Sequence, residues 1–187
     1  MTGRNRCGAF CFLCSVCRNV VAVDYRNSFI SAADVLRPEW NPALLAHSDP
    51  VDDWRFALCC RRREFLVVRL LHLLALDDEP GFIYGRDEDH NAAVGFDSDG
   101  YFGYLLWTDG DTQPTLRQLF VTRERRRRGL GRRLLQHWAE RIGLRASERF
   151  VVESPNEKSI GILIQLGYAE RTDAGVNGLR CLFTAGC

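Results

Sequence analysis

Arg126-Arg127-Arg128-Gly129-Leu130-Gly131 follows the apolar run Leu116 to Val121 and opens the amphipathic segment Arg132 to Ile142. A strand that runs into a glycine-bearing turn and then a helix gathers unpaired backbone N–H groups at one spot. The positive end of the helix dipole lies there too, so a phosphate is well held. Gly129 and Gly131 carry no Cβ, so a ligand can come close to the main chain. The order strand, turn, helix therefore points to an α/β protein that binds a phosphorylated ligand.

Downstream, the helix spaces Leu134, Leu135, Trp138 and Ile142 along one face. Phe150 to Val152 reads as a short buried strand. Ser154-Pro155-Asn156-Glu157 reads as a helix start, with Ser154 as N-cap, Pro155 at the first helical position and Glu157 three residues after the cap. Gly167 closes that helix, and Tyr168 to Thr184 holds two strands around Gly175 and Gly178. Upstream, Ala92 to Phe96 and Tyr101 to Trp107 flank Asp97-Ser98-Asp99-Gly100, a hairpin signal. Trp54 to Leu76 reads as one long helix or two shorter ones, ended by Asp77-Asp78-Glu79-Pro80-Gly81. Phe29 to Leu45 carries Pro38 and Pro42 and reads as short helices broken by turns. The order β-β-β-α-β-α-β-β implies a mixed sheet whose parallel pair is joined by the Arg132 to Ile142 crossover.

Leu119-Phe120-Val121, then Arg126-x-x-Gly129-x-Gly131, then Asn156 and Leu166-Gly167-Tyr168 together resemble the GCN5-related N-acetyltransferase (GNAT) superfamily. The likeness covers Ala92 to Tyr168, with weaker support to Phe183. It implies an α/β (α+β) fold: a mixed, mostly antiparallel sheet, flanked by helices, whose central parallel pair is splayed for acetyl-CoA. It further implies an acetyl-CoA-dependent N-acetyltransferase, in which acetyl-CoA is the co-substrate and the group passes directly to a primary amine of a small molecule or peptide. By position, Leu119, Phe120 and Val121 face the pantetheine arm, and a backbone N–H near Val121 stabilises the oxyanion. The amides from Arg126 through Leu130 to Gly131 hold the pyrophosphate, Arg127, Arg128 and Arg132 add charge, and Asn156 belongs to the same site. The family needs no metal. Many members carry a Tyr seven residues after the Asn to protonate the leaving thiolate, and here that position is Leu163. Glu153, at the end of the next strand, is the nearest carboxylate available as base or water-positioning group.

Other readings stay open beside this one. A non-catalytic CoA-binding module fits the loss of the Tyr and of the Glu base that some members place four residues before the strand-end Val, a position that is Arg117 here. The arginines from Arg123 to Arg128 also suit a solvated loop, a nuclear-type signal or a nucleic-acid patch, although the interleaved aromatics of such a patch are missing. Asn156 suits a plain member of the Ser154 capping arrangement as well as a cofactor or backbone-bridging contact. Ten acids lie between Asp77 and Asp111 against Arg86 alone; they suit either solvated turns or an acceptor mouth that concentrates a cationic amine.

The 187 residues, 46% hydrophobic with a net charge of +1, suit one domain with a sizeable core and argue against a general polyanion binder. Residues 1–22 stand apart as a basic, Cys-rich segment, leaving residues 23–187 as a single domain. Cys7, Cys11, Cys14 and Cys17 loosely match iron–sulfur or zinc spacing, which keeps a metal-bearing interaction protein as a further reading. Buried apolar thiols, or a start codon assigned too early, are the plainer accounts. The run Phe65 to Leu76 is too short to cross a bilayer. Phe10 to Val16 is too short, and too interrupted by Cys, for a secretory signal. The expectation is a cytoplasmic protein with neither nucleic acid nor membrane as partner.

Overall fold

The computed structural model describes residues 36–60, 64–78, 90–110, 113–142, 144 and 149–184. The four N-terminal cysteines and the acids from Glu79 to Asp89 lie outside these residues. A 3-10 turn, Pro38–Trp40, leads into α1, Pro42–Ala46, each with Pro in its first turn, which bears out the short-helix expectation over 36–45, the part of that stretch within the described residues. The strands that follow are β1 (Asp49–Val51), β2 (Trp54–Cys59), β3 (Asn91–Asp97), β4 (Gly100–Thr108), β5 (Thr115–Val121) and β6 (Phe150–Glu153). Helix α2, Phe65–Asp78, connects β2 to β3; α3, Leu130–Arg141, connects β5 to β6; and α4, Glu157–Gln165, follows β6. The chain ends with β7 (Ala169–Thr172), β8 (Gly175–Gly178) and β9 (Cys181–Thr184).

Seven strands form one sheet in the order β1-β2-β3-β4-β5-β6-β9, antiparallel from β1 to β5 and parallel at β5–β6 and β6–β9. The α3 crossover joins the β5–β6 pair as expected. Three points differ from the sequence reading. Trp54–Cys59 is a strand, because Trp54, Phe56 and Leu58 alternate with Arg55, Ala57 and Cys59 and the segment completes the ladder against β3. The tail holds three strands: β7 and β8 form a hairpin of their own, and β9 returns to the main sheet beside β6. The short β1 edge carried too few residues to register in the pattern.

Both faces of the sheet are covered. On one face α3 lays Leu134, Leu135 and Trp138 against Phe102, Phe150 and Val152, with Leu163 of α4 in the same core. On the other, Val67, Val68 and Leu71 of α2 pack on Val94, Tyr104 and Phe120. Each fully buried side chain of this size adds about 1.5–3 kcal/mol relative to exposure. The second face also buries a polar chain, with His72 Nδ1 3.0 Å from the Tyr104 hydroxyl, which donates to Gln118 Oε1 at 2.9 Å. Burial pushes the His72 pKa down and the Tyr104 pKa far up, so both stay neutral and structural.

Candidate active site

The site is built around an opening in the sheet. Strands β5 and β6 pair only at Thr115–Val151 and Leu116–Val152, and past that point they part. The next residue, Arg117, is the extra one in a bulge against β4, where the register jumps from Trp107–Leu116 to Leu106–Gln118. Beyond the bulge the ladder to β4 resumes through Tyr104–Phe120, and the Thr122 amide donates to the Phe102 carbonyl at 2.8 Å. Strand alternation then turns the backbone groups of Gln118 and Phe120 toward β4 and those of Leu119 and Val121 toward the opening. Of these, the Val121 carbonyl accepts from Arg126 Nε at 2.9 Å. The Leu119 and Val121 amides keep their direction toward the opening.

The turn after β5 points its main chain the same way. Arg127 and Gly129 are both left-handed, with φ of 63° and 75°, and Gly129 is the N-cap of α3, with no side-chain cap bond. The first-turn amides of Leu130, Gly131 and Arg132 therefore have no acceptor within the helix. A Cβ built on Gly131 falls 3.1 Å from Ile162 Cδ1 and 3.6 Å from Val121 Cγ2, so any side chain there enters the gap between α3, α4 and β5.

That gap is a cavity of ≈ 520 Å³. It brings together Leu119, Phe120, Val121, Arg126, Arg127, Gly129, Leu130, Gly131, Arg132 and Asn156, all expected at the site; Arg128 and Glu153 do not line it. Sequence reading missed Arg125 and Lys158, and also Ser159, Ile162 and Gln165. For the last three the signal was present: from Asn156 they recur every three residues, on one face of α4.

The arginines of the turn sort into two groups. Arg123 and Arg126 both reach Asp78, at 2.7 and 2.5 Å. Arg125 pairs with Asp97 and Asp99, each at 3.0 Å, and Arg133 with Asp52 and Asp53, each at 2.9 Å. Arg127, Arg128 and Arg132 have no carboxylate partner among the described residues, and they are three of the cations assigned to the anion from sequence. The acids Asp78, Asp97 and Asp99 are thus counter-ions that shape the turn, a use neither sequence reading anticipated.

Burial pulls the Asp78 carboxyl upward, but hydrogen bonds and charge from Arg126 and Arg123 outweigh it and hold the group below the usual carboxylate range. A folded pKa depressed in this way contributes stability above the unfolded value of about 3.9, lost as pH falls through the folded value. Asp78→Asn should therefore flatten the decline in thermal midpoint below about pH 4.5 relative to wild type. A pH series of melts followed by circular dichroism checks this, and parallel curves refute it.

Asn156, not Ser154, caps α4: its Oδ1 accepts from the Ser159 amide at 2.9 Å and from Ser159 Oγ at 3.1 Å, and the helix starts at Glu157. Asn156 therefore takes the capping place expected of Ser154, and it also lines the cavity. At the other end, Gly167 (φ 68°) completes the stop, with the Tyr168 amide bonded to the Leu163 carbonyl at 2.8 Å and the Gly167 amide to Ile164 at 2.9 Å. The Leu163 side chain is 1% exposed in the core, so that position supplies packing and no acid. Both Glu153 oxygens are held by Arg117, at 2.9 and 2.5 Å, so the expected base role competes with an ion pair already made.

The model of the acetyltransferase (GNAT) family matches residues 47–168. The chain belongs to this family. The match starts before β1 and ends at the Schellman closure of α4, so this GNAT domain includes β2, the strand that sequence reading took for a helix. Solved structures similar to the chain include ribosomal-protein-alanine N-acetyltransferase from Brucella melitensis biovar Abortus 2308, with 18% identity, TM-score 0.47, and coverage of 60% of this chain and 90% of that one. YhhK from E. coli bound to coenzyme A is 14% identical, with TM-score 0.46 and coverage of 67% and 97%. An aminoglycoside acetyltransferase from an uncultured soil metagenomic sample is also 14% identical, with TM-score 0.46 and coverage of 62% and 86%. A comparison with curated proteins returns no relative.

Proposed function

We propose that this GNAT-family protein is an acetyl-CoA-dependent N-acetyltransferase that passes an acetyl group directly to a primary amine of a small molecule or peptide. One observation carries the reading: the first-turn amides of α3 and the unpaired edge of β5 at Leu119–Val121 border the same cavity. An anionic diphosphate suits the former, and the amide groups of an extended arm suit the latter. Arg127 and Arg132, which line the cavity and have no carboxylate partner among the described residues, supply charge there.

Acetyl-CoA supplies the acetyl group as a thioester. The new bond joins the amine nitrogen to the acetyl carbon as the carbon–sulfur bond breaks, and the proton lost by nitrogen is balanced by the one taken up at sulfur. The chain's contribution is placement: the cavity fixes one reactant beside the opening in the sheet, where the Leu119 amide, the backbone N–H before Val121 that faces the gap, meets the developing oxyanion. A thiol of pKa about 8.5 is a competent leaving group, which suits a site whose Leu163 offers no proton.

The test is calorimetric and thermal-shift binding of acetyl-CoA and its dephospho analogue, followed by thiol release with a panel of amines and peptides. Acetyl-CoA at 100 times Kd should raise the stability by about 2.7 kcal/mol, and at least one amine should release thiol. Absence of binding overturns the proposal. Binding without turnover on any amine favours the CoA-binding module, a reading that the buried Leu163 supports.

A further inference from the structure

Arg117 and Glu153 meet where β5 and β6 part. Leu116–Val152 is the last ladder pair, and Arg117 and Glu153 are the very next residues on each strand. The bulge turns Arg117 out of the β4 ladder, and its guanidinium grips the carboxylate in two-pronged fashion, Nη2 to Oε1 at 2.9 Å and Nε to Oε2 at 2.5 Å. The Glu153 side chain is only 15% exposed. On β6, Phe150 and Val152 enter the core beneath α3, so strand alternation places Glu153 on the reverse face, away from the cavity. Past the last ladder pair, this ion pair is the side-chain link that the described residues show between the two strands.

We infer that Arg117 and Glu153 form a clasp that sets how far the opening spreads at its closed end, and so how long an acyl chain the site accepts. The inference rests on the acetyl-CoA reading. A diphosphate held at Gly129 to Arg132 lies at the open end, near Val121. An arm running along Leu119 toward Leu116 brings its far end, the acyl group, to the closed end. There Leu116 and Val152 block further travel, and the clasp spans the reverse side. A planar fork is needed for this: Lys keeps the charge but cannot hold both oxygens at a fixed angle. Arg117 and Glu153 are thus positioning residues that determine acyl-chain preference.

The experiment measures binding of acetyl-, butyryl- and hexanoyl-CoA by calorimetry to the full chain, wild type and variants, with Tm recorded for each. In the wild type Kd should rise about tenfold or more from acetyl to hexanoyl, the scale on which a closed apolar pocket rejects added methylenes. Arg117→Ala and Glu153→Gln should each flatten this series to about threefold or less, as expected of a pocket that no longer closes. Arg117→Lys should fall between, and it substitutes for the alanine variant if that one does not fold. The charge swap Arg117→Glu with Glu153→Arg should restore the wild-type series. A flat series in the wild type, or an unchanged one in both single variants, overturns the clasp. So does a Glu153→Gln variant that loses only the rising limb of the pH–rate profile, the behaviour of a base. A wild type that binds no acyl-CoA removes the cofactor reading and the clasp with it; binding with an unchanged series removes the clasp alone.

Discussion

Gly131→Glu should abolish acetyl-CoA binding while leaving the fold intact. The new Cβ lies 3.1 Å from Ile162 Cδ1, a flexible side-chain end able to give by a few tenths of an ångström, so folding is little disturbed. Everything past Cβ occupies the cavity and brings a carboxylate to the mouth of α3, where the first-turn amides attract an anion. The variant thus supplies its own anion, blocks the space and repels the diphosphate. Losing charge-assisted hydrogen bonds worth about 1.5–3 kcal/mol apiece lowers affinity by about 100-fold or more. Calorimetry measures it, with circular dichroism to show the fold. Gly129→Glu should act in the same direction, with an added backbone cost of about 1–2 kcal/mol for a left-handed side chain. Unchanged affinity in both variants would refute the site.

Trp138→Ala should be the most destabilising single substitution on α3. Trp138 is fully buried and meets Trp107 and Phe150 edge-on, at centroid distances of 5.8 and 5.4 Å. Truncation removes the ring and leaves a hole under the sheet, a loss of about 3–5 kcal/mol. For a domain of this size that lowers Tm by roughly 10–15 °C. Trp138→Phe should behave quite differently. The indole N–H has no acceptor among the described residues, and an unmet buried donor costs about 1–3 kcal/mol. Phe deletes that donor while keeping most of the apolar body, so its net change should stay within about 1 kcal/mol. Urea unfolding of both variants decides the matter, and a Phe variant as unstable as the Ala one would refute the unmet donor.

The sequence was most legible where local chemistry decides the structure. Gly129, Gly131 and Gly167 each mark a place where the backbone turns left-handed or must stay bare, and the strand and helix around the cofactor turn follow from those marks. It was less legible where tertiary pairing decides. Trp54 to Cys59 has helix-compatible apolar spacing, and only the ladder to β3 makes it a strand. At the start of α4 the sequence pointed to Ser154 as the cap, and Asn156 takes that place because its carbonyl reaches the Ser159 amide. The clasp was invisible for another reason: Arg117 and Glu153 are 36 residues apart, and only a bulge and a parallel pairing bring them together.

The pairing of the turn's arginines also sets what kind of anion the surface attracts. Within a few residues of one another, Arg123, Arg125, Arg126 and Arg133 are already neutralised by Asp78, Asp97, Asp99, Asp52 and Asp53. A long polyelectrolyte laid over this region meets five carboxylates among its arginines, whereas a small, highly charged group that fits between α3 and α4 meets the uncompensated guanidiniums of Arg127 and Arg132. An arginine-rich segment can in this way discriminate by ligand size, with its own carboxylates screening out anything too extended to enter.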